Sequence, residues 1–344
     1  MTPDQRGREE QRLHLFRRVA RGAALLALVV VVLGAWVRLS AAGLGCPDWP
    51  GCYGHLNIEQ AAQNADAINA ANPQRPFEYH KAVKEMVHRY FASTLGLAIV
   101  ALAGMAIWNW RDPDQPVKLP ILLVGLVILQ GLLGMWTVTL LLKPLIVVLH
   151  LIGGLTTLSL LAWLAIPPQR RAVGPDNLRL RRIATVGLAM LALQIFLGGW
   201  TSSNYAALAC PDFPTCQNSL WPPMDVKDAF VLWRGLGIDY EGGVLDHPAR
   251  VAIHFIHRLG AALTAVVLGF LVITTWRLAT NPKARVAALV LGLVLVLQLI
   301  LGPIMVMRAL PLPLATAHNA VAALLLLALV RLYRLLHSWP LKPQ

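Results

Sequence analysis

Residues 145–166 read LIVVLHLIGGLTTLSLLAWLAI, twenty-two residues whose single ionisable group is His150. At 1.5 Å per residue the stretch reaches about 33 Å, enough to cross a hydrocarbon core of roughly 30 Å. Backbone polar groups in lipid must be satisfied within their own segment, so the stretch predicts a membrane-crossing α-helix. Seven more apolar stretches of similar length lie near 20–39, 87–109, 119–140, 183–203, 252–276, 285–307 and 314–335. None alternates apolar and polar residues, which excludes a β-barrel. The expected fold is an all-α integral membrane protein of eight transmembrane helices.

Composition agrees. Of 344 residues, 57% are hydrophobic and 14% charged, with mean hydropathy +0.59, whereas a water-soluble domain carries about 25% charged residues. The net charge of +13 does not point to nucleic acid, because the basic residues sit between the apolar stretches rather than on one face. Placing the N-terminus in the cytoplasm puts 19 of the 30 Lys and Arg on that side, including Arg12, Arg17, Arg18, Arg21, Arg170, Arg171, Arg179, Arg181 and Arg182. The excess orients the chain with both termini cytoplasmic in the inner membrane, and the hydrophilic segments 40–86 and 204–251 on the periplasmic side. A basic stretch before the first span and Ser40-Ala41-Ala42 after it resemble a signal peptide, but the duplication below argues that the span is retained.

Cys46-Pro47-Asp48-Trp49-Pro50-Gly51-Cys52 is matched by Cys210-Pro211-Asp212-Phe213-Pro214-Thr215-Cys216 at an offset of 164 residues. Gly34-Ala35-Trp36 matches Gly198-Gly199-Trp200 at the same offset, and His88-Arg89 matches His257-Arg258 at 169. Gln130, Gly134 and His150 match Gln298, Gly302 and His318 at 168. The spans therefore form two tandem four-helix bundles in the same orientation, related by a pseudo-two-fold axis along the membrane normal. The expected organisation is a tail 1–19, a bundle 20–166, a cytoplasmic linker 167–182, a second bundle 183–335 and a tail 336–344.

Four histidines, His88, His150, His257 and His318, fall in repeat-equivalent spans within about two turns of the outer ends. A lone histidine at such a boundary reads as an interfacial hydrogen-bonding group. Four in register read as ligands. One imidazole from each of two helices suits axial ligation of a haem iron, and two bundles give two sites. His254 lies one turn before His257 on the same face, so the two cannot bind one iron from opposite sides; it reads as a supporting or surface histidine. His14, His55, His80, His247 and His337 lie in tails or loops.

Glu85 precedes His88 by one turn, where the second bundle has His254. A carboxylate there could move protons or stabilise positive charge, or could simply pair with Lys81, Lys84 or Arg89. Arg89 and Arg258 are candidates for haem propionates, or for reaching the headgroups. The cysteines suggest disulfides Cys46–Cys52 and Cys210–Cys216, as structural staples or as redox-active pairs. Trp36, Trp49, Trp200 and Trp221 fit an interfacial aromatic belt. The glycines at 131–134 and 198–199 fit close helix packing or access for a lipid tail. No C-x-x-C, nucleotide-binding loop or zinc signature occurs.

Together, Glu85-x-x-His88-Arg89, His150, His257-Arg258, His318-Asn319 and the two Cys-Pro-Asp-aromatic-Pro-x-Cys loops resemble the haem A synthase family over roughly residues 20–335. The resemblance implies oxidation of the C8 methyl of haem O to a formyl group by successive hydroxylations, giving haem A for cytochrome oxidase. It further implies haem O as substrate on His88 and His150, Glu85 as the catalytic residue, and a resident haem b on His257 and His318. A haem O synthase and oxidase assembly factors are the implied partners, with an electron-transfer partner of unknown identity. The other readings of the residues are a quinol-linked di-haem cytochrome b-like carrier, a membrane thiol oxidase and a transporter.

Overall fold

The computed structural model describes residues 3–167, 169–170 and 175–339. Residues 1–2, 168, 171–174 and 340–344 lie outside them, Arg171 of the basic linker included. Eleven helices are described: α1 (Pro3–Leu39), α2 (Ile58–Gln63), α3 (Ala65–Ala71), α4 (Tyr79–Trp108), α5 (Lys118–Thr139), α6 (Pro144–Ala165), α7 (Pro175–Ser203), α8 (Val226–Ala229), α9 (His247–Leu278), α10 (Pro282–Met307) and α11 (Leu312–Leu336). Two short strands, β1 (Gln169–Arg170) and β2 (Ser338–Trp339), pair in parallel. Eight of the helices are long and apolar enough to cross a membrane.

The helices outrun the apolar stretches at their N-terminal ends. Hydropathy marks only the part that meets hydrocarbon, whereas α1, α4, α7 and α9 continue outward as helix carrying charged residues. Proline occupies the first turn of α6, α9, α10 and α11, where its missing N–H costs no helical hydrogen bond.

Within the first four long helices, α1 packs on α4 and α6, and α5 on α4 and α6; within the last four, α7 packs on α9 and α11, and α10 on α9 and α11. The two sets meet through α1 with α11, α6 with α7, and α6 with α11. Each set has its own apolar core. Phe16, Ala20, Ala27, Ile99, Leu102, Leu123, Leu158 and Leu161 build the first; Leu180, Ala184, Leu191, Leu268, Ala288, Leu291, Leu329 and Leu332 build the second. Both cores fill the ends away from the disulfide loops and stop short of the four histidines. Gly199 lets α7 close on Val148 and Leu151 of α6. Trp200 is not part of a belt: it is buried at this junction, stacked on Phe196 and donating Nε1–H to the Ala229 carbonyl at 2.9 Å.

Candidate functional site

Each of the four histidines sets its Cε1 edge against a glycine on a neighbouring helix. A Cβ built on Gly34 (α1) would stand 3.0 Å from His88 Cε1, and one on Gly198 (α7) 3.1 Å from His257 Cε1. Gly134 (α5) and Gly302 (α10) meet His150 and His318 Cε1 at 3.4 Å. The matched glycines are therefore seats for imidazole rings, a role the sequence reading did not give them. His88 and His257 sit nine and ten residues into α4 and α9, deeper than two turns, because those helices begin earlier than their apolar stretches. His150 and His318 each sit six residues into their helices.

His88 and His150 interact electrostatically, as do His257 and His318, which joins α4 with α6 and α9 with α11. All four residues are half-buried. His88, His150 and His318 each keep a buried Nδ1 without a hydrogen-bond partner. Buried polar atoms are ordinarily satisfied, and an imidazole binds iron through either nitrogen, so these pairs fit a haem iron. Among the described residues no three His, Cys, Asp or Glu side chains gather as a protein-only metal site would require.

The pairs differ in bracing. Gln194 Nε2 stands 3.0 Å from His257 Nδ1 and donates to the His257 carbonyl at 3.1 Å; Gln298 Nε2 stands 3.2 Å from His318 Nε2. In the first four long helices Val30 occupies the place of Gln194, at the offset of 164. Gln130, the match of Gln298, lies against Gly153 instead, its Nε2 unpartnered.

Glu85 and His254 do the same structural work. Glu85 is 5% exposed; its Oε2 accepts the Cys46 N–H at 3.0 Å and its Oε1 pairs with Arg89 Nη2 at 2.5 Å. His254 is 4% exposed, so it is no surface histidine; its Nδ1 lies 3.2 Å from the Cys210 N–H and its Nε2 3.3 Å from Arg258 Nε, and a neutral imidazole accepts from one of the two while its other nitrogen carries the proton. The two arginines then hold the loops. Arg89 donates to the carbonyls of Asp48 (2.9 Å), Pro50 and Gly51, and Arg258 to those of Asp212 (2.7 Å), Thr215 and Cys210. These donors face the loops, which is a different use from the expected propionate pairing.

Both cysteine pairs are disulfide-bonded, Cys46–Cys52 and Cys210–Cys216. Each loop is tied inside by an aspartate that accepts two backbone N–H groups: Asp48 from Tyr53 and Gly54, Asp212 from Gln217 and Asn218. The Thr215 hydroxyl and those amides hold the Asp212 carboxyl at a pKa of about 2, below its ordinary value.

One feature is not duplicated. The stretch from Trp233 to Glu241, in the segment between α7 and α9, crosses to the outer ends of α5 and α6. Lys143, 2% exposed, donates to the Gly235 carbonyl and lies 3.5 Å from the Trp233 ring centroid. Tyr240 packs with Leu44, Val138 and Leu142 and donates its N–H to Leu141 O at 3.1 Å. Arg75 pairs with Asp239 at 2.6 Å. The strap thus roofs the outer end of the helix that carries His150.

The family model described as cytochrome oxidase assembly protein matches residues 17–330. The chain belongs to that family. Among its relatives, a Shewanella oneidensis protein named "Heme A synthase" is 43% identical over 315 residues, covering 90% of this chain and 94% of its own length. Proteins of the same name from Novosphingobium aromaticivorans and Methylobacterium radiotolerans are 28% and 29% identical, covering 89% and 87% of this chain and 90% and 84% of their own lengths.

Proposed function

We propose that this protein is a haem A synthase: an oxidoreductase that converts the C8 methyl of haem O to a formyl group in two successive hydroxylations, the resulting geminal diol losing water. The observation that carries the reading is the pair of histidine sites seated alike on glycine but unlike beside the ring. The first has a carboxylate one turn above it and no bracing amides; the second has an imidazole and two glutamines. His88 and His150 hold the substrate haem O, which must enter and leave. His257 and His318 hold a resident haem b, which supplies electron transfer when bound.

Glu85 serves the reacting side. Its two oxygens are already oriented by Arg89 and the Cys46 amide, so its carboxylate is fixed relative to His88 on the same helix, where it can take or give a proton during methyl oxidation. Arg89 and Arg258 anchor the disulfide loops over the two sites, and any propionate contact is made by rearranging those anchors.

The two bundles, 20–166 and 183–335, are tandem copies about a pseudo-two-fold axis. Supporting this, every helix contact in the first set has its counterpart in the second, and left-handed backbone recurs at Ala41 and Tyr205 and at Leu141 and Ala309. The charge distribution supports an inner-membrane location with both termini, and the 1–19, 167–182 and 336–344 segments, in the cytoplasm and the cysteine loops outside. A haem O synthase and oxidase assembly factors are the partners this activity calls for, with an electron carrier to complete the redox balance.

The test is co-expression with a haem O synthase in a host lacking haem A, with chromatography and mass analysis of the extracted haems, beside a Glu85→Ala variant. A formyl or hydroxymethyl haem that disappears in the variant is expected. Only haem b and haem O, from membranes holding folded, haem-loaded protein and a working electron supply, would replace this reading with a di-haem electron carrier.

A further inference from the structure

At the ends of α1, α6, α7 and α11 opposite the disulfide loops, an arginine is buried with no anion beside it among the described residues. Arg334 is 7% exposed, and its guanidinium lies 4.2 Å from the Trp163 ring centroid. Nη2 donates a long 3.4 Å bond to the Ile166 carbonyl, while Nε and Nη1 have no partner. A buried charge with unmatched donors is costly unless an opposite charge meets it.

The charges around it have the same sign. Arg17 of α1 acts on Arg334 electrostatically, and no carboxylate among the described residues is found to do so. Arg17's own acidic neighbours are Asp112 and Asp114, in the segment joining α4 and α5. His337 lies 5.9 Å from Trp163, and burial, then Arg181 and Arg334, keep its imidazole below its ordinary pKa. Arg17 and Arg181 are separated by 164 residues, the offset of the cysteine loops. Two repeat-equivalent arginines therefore bear on this corner, Arg17 on Arg334 and Arg181 on His337, with Trp163 against the Arg334 guanidinium.

We infer that this junction binds a phosphate group, held by the unpartnered donors of the Arg334 guanidinium with Arg17 alongside. Nε–H and Nη1–H leave along different edges of the guanidinium, and the second N–H of Nη2 completes a two-donor edge with either, the charge-assisted geometry that a tetrahedral phosphate accepts. The cluster lies where α6 and α11 end, at the depth of lipid headgroups, and basic pockets between membrane helices take anionic headgroups there. An anionic phospholipid and free phosphate share this chemistry.

The experiment uses the full-length chain in detergent. Native mass spectrometry reads retention of phosphatidylglycerol against phosphatidylcholine of the same acyl chains, and thermal unfolding reads the effect of inorganic phosphate. Wild type is expected to retain phosphatidylglycerol selectively, and Arg334→Gln to retain it about tenfold less, the loss of one or two charge-assisted hydrogen bonds. Arg17→Gln, which leaves the buried stack intact, is expected to weaken retention several-fold where Arg12→Gln does not; this holds the test open if Arg334→Gln fails to fold. Stabilisation by inorganic phosphate alone, lost with Arg334, would support the site with a soluble source. Equal retention of both lipids with no effect of phosphate, or phosphatidylglycerol retention unchanged in Arg334→Gln and Arg17→Gln, would overturn it.

Discussion

Glu85 and His254 sit at the same turn above their histidines, each between the equivalent cysteine amide and the equivalent arginine, yet one is a carboxylate and the other an imidazole. Loop anchoring needs only a polar side chain between that amide and that arginine, and both residues supply one. The carboxylate is therefore surplus to the architecture, and its presence in one half alone points to chemistry there. Bracing runs the other way: Gln194 and Gln298 set side-chain amides beside the rings of the second pair, while in the first pair His88 has only the Val30 backbone and Gln130 is unengaged. A ring braced by an amide suits a group that stays; an unbraced ring suits one that is exchanged.

The hardest blow to this contrast is removal of a ligand. His150→Ala and His318→Ala should each reduce haem A formation to background, but each should empty only its own half, read as one haem lost per chain by absorbance and metal content. Loss of both haems from either variant would mean that the halves do not bind independently. Next in size is Glu85→Gln, which keeps the Cys46 hydrogen bond and should lower turnover by about 10²–10⁴-fold, the usual worth of a positioned acid or base. His254→Gln should cost less than tenfold. Equal losses would reduce Glu85 to an anchor.

Bracing gives a smaller and sharper effect. Gln194→Leu should weaken haem retention in the second half by about 10–100-fold, as removing a partner of a ligating histidine does. The reciprocal Val30→Gln should tighten the first half and slow product release, seen as haem A remaining with the purified protein. The smallest effect concerns pH. Because the Asp212 pKa is depressed in the folded loop, its contribution is complete above the unfolded value near 3.9 and is lost as pH falls toward about 2. The melting temperature of wild type should exceed that of Asp212→Asn by a few degrees at pH 5, and the gap should close on approach to pH 2.

Much of this was readable from the chain because the duplication turns single residues into pairs. Hydropathy located the spans, and the offsets of 164 to 169 picked four histidines from ten. The helix starts were misplaced because hydropathy is blind to helix that continues past the apolar layer. The glycine seats were visible as matched positions, but a match does not say what a glycine faces. His254 was undervalued because its partners, Cys210 and Arg258, include one 44 residues away. The strap left no trace in the repeat, having no counterpart in the first loop, and Lys143 reads as an ordinary boundary lysine until Trp233 and Gly235 enclose it.

The strap also orders the protein's making. A ribosome delivers α1 to α6, with both histidines of the first site, before Trp233 and Tyr240 exist, and those residues reach their places only after α7 has crossed the membrane. The first site is thus finished last, by residues from the other half of the chain. A nascent chain arrested after α6 would carry His88, His150 and Glu85 yet stand open above Lys143, so closure of that roof records that synthesis has run through to the second half.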